Sequence, residues 1–103
     1  MLTVVVDRDD PVVVVRLRGE MDLGSTGRAK ESLDAVVADQ PPAIVVDLVE
    51  LEFIDSSGIR ALLAAAKAAE AHGTAFTIRA PRPSVRRVLE IAGVGDLVIE
   101  DRS

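Results

Sequence analysis

Three times along this chain a short β-branched run gives way, across a polar turn, to apolar residues at helical spacing. Residues 12–17 lead to a helical pattern over 26–39. Residues 43–48 lead to one carrying Ile59, Leu62, Leu63, Ala66 and Ala69. Residues 75–79 lead to one over 84–92. Strands that alternate with helices in this way are parallel neighbours joined by right-handed crossovers. Residues 2–6 form a further strand, and the turn 7–11 is too short for anything but an antiparallel hairpin with the next. Residues 96–100 read as a last edge strand. The predicted order is β-β-α-β-α-β-α-β: a mixed, mainly parallel α/β sheet with three main helices.

The strand 43–48 is apolar except for Asp47, the pattern of a central strand covered on both faces. In the strand 12–17, Val13, Val15 and Leu17 share one face, and Arg16 and Arg18 lie on the other. Ser25 is the expected N-cap of the first helix. Pro41 and Pro42 end that helix, and Gly73 ends the second.

A sheet of this type places functional loops at the carboxyl ends of its parallel strands. Two stand out: residues 20–25 and residues 52–58. The second contains Asp55-Ser56-Ser57-Gly58 at a helix start. Asp and Ser are all good N-caps, and a helix has one cap. Either Asp55 or Ser56 is expected to serve, which leaves the Ser57 hydroxyl exposed, with helix N–H groups nearby that suit an anion.

Composition narrows the chemistry. The chain has 103 residues, the size of one domain. Its net charge of −5 disfavours nucleic acid, and two Phe with no Trp or Tyr leave little to stack on bases. The absence of Cys excludes thiolate chemistry and, with no leader or membrane-spanning run, suits the cytoplasm.

A serine hydrolase would need a base near Ser57. The one His, His72, lies 15 residues along the same predicted helix, roughly 22 Å away at ~1.5 Å per residue. Asp22, Asp47, Glu52 and Asp55 could gather a divalent cation only if the fold brought them together. Arg79, Arg82, Arg86 and Arg87 form a basic stretch that reads as a solvated face or a contact for an acidic partner. No glycine pattern for cradling phosphate is present, and no cofactor is expected. Ser57 remains as a phosphate acceptor, where modification would add about −1.5 to −2 charges. The alternative is that both serines merely cap the helix.

The chain resembles the STAS domain family, and within it the stand-alone bacterial anti-sigma factor antagonists. The likeness rests on residues 15–22 ending Gly19-Glu20-Met21-Asp22, on the run 44–58 ending Asp55-Ser56-Ser57-Gly58, and on residues 86–93. Met21 in place of Leu or Ile, and Gly27 where many members have Pro, are departures away from the serine turn. The resemblance implies a single STAS domain over residues 1–103 with a β/α superhelix. It also implies a regulator of sigma factors and of stress transcription rather than an enzyme. The unphosphorylated form would bind an anti-sigma factor that is also an ATP-dependent serine kinase. Phosphorylation would fall on Ser57, with Asp22, Asp55, Ser56 and Gly58 shaping the partner surface. A serine phosphatase would reverse it, and the protein would be a monomer or weak dimer. Two other readings stay open: a non-switching STAS module of a scaffold or transport complex, and an enzyme using Asp22 and Asp55 on a nucleotide.

Overall fold

The computed structural model describes residues 1–99. Its elements are β1 (Leu2–Asp7), β2 (Val12–Met21), α1 (Thr26–Ala38), β3 (Ala43–Asp47), β4 (Leu51–Ile54), α2 (Ser56–Ala71), β5 (Ala75–Arg79), α3 (Pro83–Ile91) and β6 (Val98–Ile99), with a 3-10 turn at Gly95–Leu97 before the last. The sheet runs β1-β2-β3-β5-β6, and β4 pairs with β2. Only β1 and β2 are antiparallel among the described pairs. This is the expected α/β architecture with one strand added. The last strand is shorter than expected because residues 95–97 coil first, and Glu100 lies outside the described residues.

The added strand, β4, depends on the length of β2. Val12 to Arg16 pair with β3, and Gly19 to Met21 pair with β4. The register shifts between Gly19 and Glu20. Gly19 has φ +101°, and a Cβ there would stand 2.2 Å from the Met1 carbonyl oxygen. Only glycine combines that backbone with so close an approach.

Val13, Val15, Leu17, Ile44, Val46, Phe76 and Ile78 line one face of the sheet, buried with Leu33 and Val36 of α1 and Leu62 of α2. The opposite face carries Arg16, Arg18, Val45, Thr77 and Arg79, none of them buried, and Asp47, a buried carboxylate bridged to Arg79. The expectation that both faces of β3 are covered is therefore corrected. Val45 makes the run continuous in sequence, yet it is only half-buried.

Across that open face the register aligns Val5, Arg16, Asp47 and Arg79 in one row. Asp47 accepts from Arg79 Nη2 at 2.8 Å and from the Val49 N–H at 3.0 Å, and Arg16 Nε lies 3.8 Å away. Burial on its own would raise the Asp47 pKa. The Arg79 hydrogen bond, the Val49 N–H and the two guanidinium charges outweigh it and hold the carboxyl below the usual range. A depressed folded pKa contributes stability that is full above the unfolded value of ~3.9 and is lost as pH falls through the folded one. Asp47→Asn should therefore be less stable than wild type at pH 7 and lose less on acidification below about pH 4. Urea midpoints from neutral to acid pH would show this, and parallel curves for the two proteins would contradict the assignment.

Candidate functional site

The parallel pairing of Met21 with Ile54 sets the two candidate loops side by side. The Asp55 N–H donates to the Met21 carbonyl at 3.1 Å, and the Leu23 N–H donates to Asp55 Oδ2, also at 3.1 Å. Asp55 is the N-cap of α2. Its Oδ1 accepts from the Ser57 N–H at 2.9 Å and the Gly58 N–H at 3.2 Å. The same oxygen accepts from Ser57 Oγ at 2.5 Å. These donors hold the Asp55 carboxyl below the usual range: the Ser57 hydroxyl foremost, then, against a smaller opposing effect of burial, the N–H groups of Gly58, Ser57 and Leu23.

The sequence leaves either Asp55 or Ser56 to cap; the structure uses Asp55, and Ser56 is exposed. Ser57 differs from expectation. Its hydroxyl is half-buried and bonded, to Asp55 and to Thr26 Oγ1 at 3.1 Å. The N–H groups of Ser57 and Gly58, expected to be available to an anion, are already engaged by Asp55.

Ser25 also departs from its expected role. It stands at the N-cap position of α1 but makes no side-chain cap. Its Oγ accepts from the Asp22 N–H at 3.0 Å and lies 2.9 Å from the Glu20 carbonyl, tightening the loop on itself. Asp22 is half-buried, and its Oδ1 accepts from the Gly24 N–H.

Gly58 is buried beneath the turn, facing Ile54 and Met21, so it shapes this surface from below. Sequence reasoning missed three neighbours. Leu23 is 83% exposed and Phe53 is 49% exposed, which gives the turn an apolar flank. Thr26 is 9% exposed and reaches Ser57 from α1. Leu23 is the one large apolar residue among 22–25, and that was the available signal; Thr26 had none, because its contact spans 31 residues.

The remaining candidates scatter. Asp47 sits in the ionic row and Glu52 is exposed on β4. Among the described residues no three carboxylate or imidazole groups stand close enough to hold a metal. His72 is the C-cap of α2, at the far end of the helix from Ser57. Of the four arginines, Arg79 pairs with Asp47, Arg82 Nε donates to the Val49 carbonyl, Arg86 faces Glu90, and Arg87 is exposed. A groove of about 560 Å³ lies at the other end of α2, lined by Leu63, Ala66, Phe76, Val94 and Leu97. No helix among the described residues is long and apolar enough to cross a membrane.

The sequence pattern of the STAS domain matches residues 3–102. The chain belongs to the STAS domain family. This STAS domain is 33% identical over 93 residues to the anti-sigma-F factor antagonist RsfB of Mycobacterium tuberculosis (strain ATCC 25618 / H37Rv), covering 90% of this chain and 75% of the relative. Its structure is similar to an anti-sigma factor antagonist from Mycobacterium paratuberculosis, with TM-score 0.88, 31% identity, and coverage of 100% of this chain and 87% of that one. It also resembles the anti-sigma factor antagonist SpoIIAA in its unphosphorylated form, with TM-score 0.86 and 23% identity over 98% of this chain and 90% of that chain, a likeness of fold.

Proposed function

We propose that this STAS domain is an anti-sigma factor antagonist that works by switching partners. Unphosphorylated, it docks on an anti-sigma factor that is also a serine kinase, and the sigma factor is released. Phosphorylation of Ser57 ends the docking, and a serine phosphatase restores it. The protein itself is not an enzyme in this scheme, and it acts in the cytoplasm.

The observation that carries this reading is the turn at the start of α2. It holds Ser57 half-buried, its hydroxyl bonded to Asp55 and Thr26, between two loops and beside exposed Leu23 and Phe53. The relatives that bear the antagonist name support the partner class. Asp22, Asp55 and Ser56 then form the contact surface, over the floor made by Gly58.

Incubation with the cognate anti-sigma factor kinase and ATP should add one phosphate by intact mass, mapped to Ser57. Ser57→Ala should acquire none. Equal labelling of Ser57→Ala would refute the assignment of the site.

A further inference from the structure

Two hydroxyls and a carboxylate stand in a row where α1 meets α2. Thr26 Oγ1 is 3.1 Å from Ser57 Oγ, which is 2.5 Å from Asp55 Oδ1. Valence fixes the directions. An ionised carboxylate only accepts, so the single hydroxyl hydrogen of Ser57 points at Asp55. Ser57 then has nothing to donate to Thr26. Thr26 is the donor, and its hydrogen occupies one of the two lone pairs on Ser57 Oγ. The second lone pair is left for an incoming electrophile.

Thr26 is well placed to hold this arrangement. It is 9% exposed at the first position of α1, and its N–H donates to the Asp22 carbonyl at 2.8 Å. A serine side chain held on one side only can still sample its staggered wells. Bonds from both sides keep Ser57 in one of them.

We propose that Thr26 is a positioning residue for phosphoryl transfer to Ser57, selecting the rotamer that turns the unused lone pair outward. The proposal rests on Ser57 being the phosphate acceptor. In the transfer, that lone pair bonds the γ-phosphorus of kinase-bound ATP. The bond from this phosphorus to the β,γ-bridging oxygen breaks, and ADP leaves. The hydroxyl proton passes along the existing hydrogen bond to Asp55 and then to water. Thr26 keeps its hydrogen bond to Oγ, now an ester oxygen.

Thr26→Val removes the donor and keeps the buried volume. With the cognate kinase and ATP, kcat for labelling Ser57 should fall about 10-fold, the rate equivalent of one ordinary hydrogen bond. KM should stay within about 2-fold, because a buried residue offers the kinase no contact. Thr26→Ser, which restores the hydroxyl, should recover the rate. Should valine not be tolerated, Thr26→Ala gives the same comparison. The Hα–Hβ couplings of Ser57, read by NMR without any kinase, should report one rotamer in wild type and averaging in Thr26→Val. A wild-type kcat with unaveraged couplings in Thr26→Val overturns the proposal, and so does a rate loss that Thr26→Ser does not repair. Failure of the wild type to be labelled at Ser57 would instead remove the acceptor assignment, with the couplings still deciding whether Thr26 holds the hydroxyl.

Discussion

Phosphate on Ser57 is expected to weaken binding to the anti-sigma factor roughly 30- to 100-fold. The modification adds about −1.5 to −2 charges. A partner carboxylate ~6 Å away, at an intermediate effective dielectric of ~40, is then repelled by roughly 2–3 kcal/mol. At 1.4 kcal/mol per decade this gives the stated factor. The local structure adds to the effect. Asp55 loses the hydroxyl hydrogen it accepts from Ser57 and faces an anion instead. The nearest helix N–H groups are already bonded to Asp55 and offer the phosphate no ready neutralisation. Ser57→Ala should stay bound in the presence of ATP. Ser57→Asp should release only partly, since it carries one charge in place of nearly two. Titration calorimetry with purified partner measures all four forms. Full affinity in the phosphorylated form would end the electrostatic account.

Gly58→Ala should lower the melting temperature by roughly 5–15 °C, for a loss of about 1–2 kcal/mol. An alanine Cβ at this position would stand 2.7 Å from Ile54 Cγ1 and 2.9 Å from Met21 Cγ. Both neighbours are buried, Met21 completely. Overpacking a filled core costs about 1–3 kcal/mol. The substitution returns at most ~1 kcal/mol of helix propensity, so packing wins. A melting temperature at or above wild type would mean that these neighbours yield and that the glycine serves recognition directly. The expected result assigns the last residue of the Asp55–Gly58 turn to packing. It seats α2 on the rung formed by Met21 and Ile54, and that seat brings Ser57 within reach of Thr26.

The strands and helices that depend on local pattern were legible in the sequence. β-Branched runs fixed β2, β3 and β5, and Pro and Gly marked the helix ends. β4 was not legible, because Leu51-Glu52-Phe53-Ile54 is four residues long with no clean alternation. Its reason for being a strand is a partner some 30 residues away. The open sheet face was hidden for another reason: Val45 is apolar, and an apolar side chain does not announce what covers it. At the turn, the competition among three capping residues was visible, and the short list that included Asp55 followed from it. The engagement of the Ser57 hydroxyl was invisible, since it needs α1 and α2 docked together.

β4 also ties the turn to the order of assembly. Among the described residues its only strand partner is the far half of β2, past the end of β3. The Asp55 cap hangs from that pairing through the Met21 carbonyl. A chain that has joined β1, β2 and β3 but has not yet threaded β4 beside β2 therefore has no formed turn to display. On the proposed docking role, the surface that meets the partner exists only once β4 is in place, so loss of this one strand pairing would abolish docking as well as stability.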